Sequence, residues 1–341
     1  MPDLIRHPVY SWIPAFAGMT IFRYLIAGVI SSIAGRDGGI NSKETENESK
    51  KAIFFLAGFV LLPVCNRYSC WKLCVRLYTA LVRFADMLFE NGVMFNYQSD
   101  WNFLLAAANY DTGTQTTNGK NIIRYLREDL GFEVDTHAHE TQYNYADVAY
   151  LIEALGVNPS GTVGDFLAEP PEDSKLEYLW NPISGNKYPF YSLQPEILWG
   201  GATLHHINEE AIWASGIWNP KDRNHFLEHD NNSPLPYVGG YGRDNCSLLI
   251  QKQKDGDLED GKIYTCTLFV SQTSLLQPDF IQRFEEEIQS YNNAGNIRWE
   301  GLAEVIDIWR DEFKIENSRL SENSNFFPNQ GLRKKLPQAY G

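Results

Sequence analysis

The residues best equipped for chemistry lie in one stretch, Gly131-Phe-Glu-Val-Asp-Thr-His-Ala-His-Glu140. Read as a strand, it puts Asp135, His137 and His139 on one face, because side chains alternate along a strand. Two imidazoles and a carboxylate suit a divalent metal, Zn²⁺ above all. Residues two apart on a strand are separated by roughly 6.6 Å, which lets both imidazoles reach one ion. Asp135 lies roughly 13 Å from His139 along an ideal strand, so it is expected to support the ligands rather than join them. The competing reading is two surface histidines in a loop. Histidine is otherwise sparse: of seven in the chain, six fall between His137 and His229.

These residues need elements to hold them. Before the stretch, Asn121 to Leu130 places Ile123, Leu126 and Leu130 on one helical face, with Gly131 as a C-cap. After it, Tyr145 to Leu155 repeats the helical pattern and stops at Gly156. A short strand between two helices reads as a βα unit of a parallel sheet or barrel, whose active sites collect at the C-terminal strand ends. One unit earlier, helix Trp71–Glu90 and strand Val93–Gln98 lead into Ser99-Asp100-Trp101-Asn102. Asp100 is a candidate third metal ligand or base; the alternative is an N-cap for the helix Trp101–Asn109. Strand Glu196–Thr203 closes on His205-His206, either of which could protonate a leaving group at neutral pH. Asp135 is the other candidate base. Strands are also expected at Ser160–Ala168, Trp213–Asp222, Ile263–Val270 and Ile297–Trp299, and helices at Asp279–Asn292 and Leu302–Phe313. Alternating strands and helices from about residue 72 to 315 favour a single α/β domain.

Other patterns carry less. His225-Phe-Leu-Glu-His229 fits the inverted zincin spacing, but that chemistry needs a long helix and the flanks are rich in Pro and Asn. Tyr237–Asp244 holds three Gly without a nucleotide fingerprint, and the acidic turn Gln253–Lys262 lacks EF-hand spacing. The five Cys, at 65, 70, 74, 246 and 266, form no zinc pattern.

A net charge of −14 argues against nucleic acid as a partner. Nine Trp and eighteen Tyr suit either a carbohydrate-facing surface or a packed core, and a sugar would stack on Trp101, Trp199 or Trp218. Residues 1–49 read as a non-domain extension, and Met1–Thr20 resembles the translation of a dispersed bacterial genomic repeat, so a true start downstream is expected. Residues 50–65 read as a secretory signal: Lys50-Lys51, then the apolar run Ala52–Val64. That run is shorter than the ~20 residues that span a bilayer, so no stable membrane span is expected. Export to the periplasm or exterior is the favoured reading over a cytoplasmic location. The domain itself is read as 71–315, followed by a polar disordered tail, 316–341.

From about residue 80 to 315 the chain resembles the NodB-like polysaccharide deacetylase superfamily. The resemblance rests on the helix and Asn91-Gly92 before the strand VMFNYQ. It rests also on Gly131-Phe-Glu-Val-Asp-Thr-His-Ala-His139, which stands where that superfamily has Gly-x-Glu-(Ile/Val)-x-x-His. Gly216-Ile-Trp-Asn-Pro220 and the closing segment ending at Ile308-Trp309 add to it. It implies a distorted (β/α)7 barrel of the glycoside hydrolase/deacetylase kind. It also implies a divalent metal, Zn in the first instance, held by an Asp and two His, here Asp100, His137 and His139. The implied reaction removes acetyl groups from a carbohydrate or another acylated substrate. The family's first-strand Thr-Phe-Asp-Asp signature is absent, and its two His stand four apart rather than two. The expectation is therefore a barrel incomplete at its N-terminus, inactive or truncated. A second resemblance, through Asp135-Thr-His-Ala-His139, is to PHP- or amidohydrolase-like metal hydrolases. A third reading is a non-catalytic carbohydrate-binding barrel.

Overall fold

The chain's architecture is a mixed α/β fold, taken from a computed structural model that describes residues 25–26, 52–60, 68–99, 101–138, 143–164, 176–200, 214–240, 244–271, 273–294 and 297–314. In chain order the strands are β1 (Leu25–Ile26), β2 (Ala52–Val60), β3 (Asn96–Ser99), β4 (Glu133–Thr136), β5 (Thr162–Val163), β6 (Ile183–Ser184), β7 (Ser192–Leu193), β8 (Ile197–Trp199), β9 (Ile217–Trp218), β10 (Tyr237–Val238), β11 (Ile263–Ser271) and β12 (Ile297–Trp299). The helices are α1 (Tyr68–Glu90), α2 (Trp101–Tyr110), α3 (Ile122–Arg124, continued by a π turn Tyr125–Asp129), α4 (Tyr145–Ala154), α5 (Leu176–Leu179), α6 (Asp244–Asp255), α7 (Phe280–Asn292) and α8 (Leu302–Ile308).

The larger sheet has the order β1-β11-β2-β3-β4, with β12 also on β2. β2 is its centre. It runs parallel to β11 over its whole length, from Ala52↔Ile263 to Val60↔Ser271, and meets β12 and β3 on its other edge. Residues 52–60 of the segment read as a signal thus form a strand of the sheet. A central strand of a parallel sheet has the same continuous apolar composition as a signal's core, and here strand pairing claims the run. Within 1–49, Leu25 and Ile26 pair antiparallel with Val270 and Phe269. No helix among the described residues is long and apolar enough to cross a membrane.

A second sheet has the order β5-β8-β10-β9, all parallel except β9. Two seams join the sheets. At one, Ser160 N donates to Val134 O and Thr136 Oγ1 to Thr162 O, both at 3.0 Å, so β5 follows β4 in parallel. At the other, Thr265 on β11 bonds Ser215 Oγ, Gly216 N and Gly239 O at 2.7–2.8 Å. Among the described residues no continuous ladder closes the two sheets into a barrel.

Helices cover the outside. Leu77, Leu81, Phe84, Ala85 and Leu88 form the buried stripe of α1 at helical spacing, and Phe84 packs on Phe95 and Phe284 with ring centroids 5.8 and 5.6 Å apart. Helix α6 has no counterpart in the sequence reading, because its polar, charged segment lacks a clear apolar period. Cys246 on α6 and Cys266 on β11 are joined as a disulfide, fixing that helix to the sheet.

The opposite face of β3 and β4 is polar and fully enclosed. The register pairs Asn96 with Glu133 and Gln98 with Asp135, and all four are buried. Asn96 Nδ2 donates to Glu133 Oε2 and, at 3.3 Å, to Asp135 Oδ2. Glu133 also accepts from Leu302 N and Ala303 N, both at 3.0 Å, and so caps α8 from a distant strand. Gly301 permits this approach, since a Cβ there would overlap the Glu133 carboxylate. A second buried carboxylate ties α4 to the β6–β7 hairpin. Asp147 accepts four backbone N–H groups, from Asn144, Asn186, Lys187 and Tyr188, at 2.7–3.0 Å.

Burial, and then the neighbouring Asp135 charge, pushes the Glu133 carboxyl above its usual range; burial pushes Asp135 up as well. An acid held more tightly protonated in the folded state gives stability that is fully present below its unfolded pKa. That stability is lost as pH rises through the folded value. The melting temperature should therefore fall as pH rises above about 4, the unfolded carboxylate value. Glu133→Gln should flatten that fall, because Asn96 can turn its amide to serve the new group. Parallel pH profiles for the two proteins, by differential scanning calorimetry, would count against this account. Asp147→Ala leaves four N–H groups without their acceptor and should cost about 2–4 kcal/mol in urea unfolding. A loss below about 1 kcal/mol would mean that water replaces the carboxylate.

Candidate functional site

His137 stands one residue past the C-terminal end of β4. Its backbone N–H donates to Ser99 O at 3.2 Å, which locks it to the end of β3. Its side chain is buried. The alternation runs Glu133, Asp135, His137 along one face, as the strand period requires. The imidazole therefore sits directly above the enclosed polar face, at the edge where β3, β4 and β5 all end. Asp100, His139, His205 and His206 lie outside the described residues.

Asp135 is fully buried below His137. Ser160 Oγ donates to its Oδ1, and Asn96 and Gln98 donate as well. These donors pull its pKa down against the larger upward push of burial. A general base must reach the proton it takes. Asp135 is enclosed by strand side chains, so its place suits supporting the site from beneath rather than meeting substrate.

The fit of a divalent metal to these residues is partial. Among the described residues no three His, Cys, Asp or Glu side chains converge on a point. His137 supplies one suitable donor, two residues along the strand from the buried Asp135. The other ligands of the expected set, Asp100 and His139, follow β3 and His137 directly in the chain.

The three tryptophans separate. Trp218 is a core residue: its ring is fully buried, its Nε1 donates to Phe226 O at 2.7 Å, and Tyr237 packs 4.7 Å away. Trp199 is also buried, stacked on Phe269 at 6.1 Å across the space between the two sheets. Both side chains lie within the packed interior rather than at its surface. Trp101 is different. It opens α2 just past β3, is half-buried, and stacks on Tyr143 at 5.5 Å.

His225 and His229 belong elsewhere. β9 runs antiparallel to β10, so the 219–236 connection lies at the N-terminal end of β10, opposite His137. His225 Nδ1 bonds Asp222 at 2.8 Å, His229 Nδ1 accepts from Asn219 N at 3.0 Å, and Glu228 pairs with Lys221. The inverted zincin spacing is thus met by a turn-rich loop with three unrelated partners.

Sequence reasoning missed Asn96, Gln98 and Ser160 around Asp135. Period-2 polarity in the short strands, Asn96-x-Gln98 beside Glu133-x-Asp135, was the available signal. It missed the β6–β7 hairpin, where the aromatic content of residues 175–200 was visible but no period marked the fold.

No protein-family profile and no curated protein matches the chain. Among solved structures, 4-alpha-glucanotransferase from Thermococcus litoralis aligns with a TM-score of 0.41 and 11% identity, over 73% of this chain and 38% of that one. The chain thus spans well under two thirds of that protein's length, and a likeness this weak carries no argument about activity.

Proposed function

We propose that the chain is a metal-dependent hydrolase of the polysaccharide deacetylase kind, its two sheets an open version of the (β/α)7 barrel and its site at the C-terminal ends of β3 and β4. One observation carries this reading. A buried imidazole, His137, stands at the C-terminal strand edge on a layer of hydrogen-bonded carboxylates, where α/β folds place their chemistry. His137 and His139, with Asp100, would hold the ion. Such an ion supplies Lewis-acid polarisation of an acyl group and of water. The chain's own residues do the rest. The bond from the His137 backbone N–H to Ser99 O fixes its place beside β3, Trp199 and Phe269 close the interior between the sheets, and His205 or His206 is the candidate proton donor. The substrate class is an acetylated carbohydrate. The disulfide Cys246–Cys266 supports an exported protein, because disulfides persist in oxidising compartments.

The test uses the full chain, metal-stripped and then loaded with Zn²⁺. Elemental analysis should find about one equivalent bound, and acetate should be released from acetylated chitooligosaccharide or acetylated xylan. His137→Ala should lose both while keeping its thermal unfolding transition. Bound zinc unchanged in that variant, or folded wild-type protein that takes up no metal, would sink the reading.

A further inference from the structure

The loop between β9 and β10 is closed by bonds that converge on one imidazole. Pro220 bridges His229 in antiparallel fashion, Lys221 N donates to Glu228 O at 3.0 Å and Asp230 N to Asn219 O at 2.9 Å. Across that closure, Asn219 N donates to His229 Nδ1 at 3.0 Å. A backbone N–H can only donate, so Nδ1 is the unprotonated nitrogen and the ring's one N–H hydrogen sits on Nε2. Nε2 then donates to Asn231 Oδ1, also at 3.0 Å. The closed loop accepts a neutral histidine and excludes the imidazolium, in which both nitrogens are donors.

The same ring reaches a second element. It meets the buried Trp309 ring nearly at right angles, with centroids 6.3 Å apart, at the start of the turn Trp309–Lys314 that continues α8. Asn219 adds a weakness at this point. Its Nδ2 donates to Ser233 O at 2.7 Å, but its Oδ1 is buried with no hydrogen-bond partner among the described residues, which disfavours the closed loop. The charged groups on and beside the loop are Lys221 with Glu228, Asp222 with His225, Arg223 with Glu177 of α5, and Asp230, which accepts from Asn232. On α8 and its turn they are Asp307 with Arg310, and Asp311. Every acid named except Asp311 is engaged by another group, so the Asn219 N–H is the group set against a second proton on the ring.

We propose that His229 is a pH-sensitive latch: neutral, it clamps the 219–231 loop and seats Trp309; charged, it releases both. A proton on Nδ1 would set two hydrogens against each other along the Asn219 bond, so either the proton stays off or the bond breaks. The closed loop therefore binds that proton less well than the open loop. Closure is fully present above the ordinary histidine value of about 6.5 and is lost as pH falls below it. This runs opposite to the effect of Glu133 and Asp135, whose stabilisation fades as pH rises. The loop's other histidine also has the reverse sign: His225 Nδ1 faces the Asp222 carboxylate, so protonation strengthens that pair. Loosening on acidification thus separates His229 from His225. The latch lies at the end of the strands opposite His137, and its action needs neither metal nor hydrolysis.

The experiment is hydrogen–deuterium exchange of the full chain, read by mass spectrometry across a series from about pH 7.5 to about pH 5, with rates corrected for the intrinsic effect of pH on exchange. Amides of 219–230 should exchange about tenfold faster at the acid end. Those of the turn from Trp309 should follow, while the β6–β7 hairpin keeps its protection. His229→Asn keeps an acceptor where Nδ1 stood and cannot titrate, so its loop should stay protected throughout. Asn231→Asp, at an exposed position, sets a carboxylate against Nε2 and favours the charged ring. It should move the loss of protection up by about one pH unit. Wild-type protection that is the same across the series would overturn the latch. So would a midpoint that Asn231→Asp leaves in place or lowers, an outcome that decides the matter even where His229→Asn does not fold. A folded His229→Asn protein that still loses protection on acidification would overturn it too, and would assign the loss to another group of the loop.

Discussion

The structure depends on an arrangement that physical chemistry disfavours: two buried carboxylates, Glu133 and Asp135, two residues apart on one strand face. Their repulsion and desolvation are offset by donors drawn from three separate parts of the chain. Asn96 serves both, Gln98 and Ser160 serve Asp135, and the first turn of α8 serves Glu133. Each of those bonds also fixes a neighbour in place. Asn96 and Gln98 set the β3–β4 register, Ser160 sets the approach to β5, and Leu302 and Ala303 bring a helix more than 160 residues away against the strand. An apolar pair at the same positions would stabilise the core without specifying any of these alignments.

Chain direction then divides the molecule into two ends. The parallel strands β3, β4, β5, β8 and β10 all finish on the side of His137. The reversal of β9 against β10 in the second sheet sends the loop carrying His225 and His229 to the other side. Two sets of histidines that look alike in composition therefore have different surroundings. His137 follows β4 at an edge where several strands end, whereas His225 and His229 are consumed by Asp222, Asn219 and Asn231 within their own loop.

The local elements were largely legible. Gly131 and Gly156 take positive φ, 73° and 93°, where helix stops were read, and Ile297–Trp299 is a strand as its apolar character indicates. Composition alone does not specify setting. Ala52–Val60 is apolar along its length, and only pairing with β11, β3 and β12 distinguishes a central strand from a secretory core. Tryptophan count could not separate Trp101 at a helix start from Trp199 and Trp218 in the core, because burial is a property of the assembled sheets. Helix α6 escaped because its position follows from the disulfide and from β11 rather than from a strong apolar period. For the site, the enclosure of Asp135 was not foreseeable without Asn96 and Gln98 on β3 and Ser160 just before β5.

These constraints meet at His137. Its side chain points to the site face only because β4 keeps its register with β3, and a slip of one residue would turn the imidazole outward and bring Thr136 in. The apolar residues of β4 cannot prevent that slip alone, since Val134 would be buried on either face of a strand enclosed on both sides. The polar residues can. Shifting β4 by one residue would take Glu133 off Asn96 and α8, and Asp135 off Ser160, leaving two carboxylates and several N–H groups buried without partners. Each such group costs about 1–3 kcal/mol, more for a charge. The destabilised carboxylate pair is thus a register lock, and the position of the candidate catalytic histidine is the alignment it enforces.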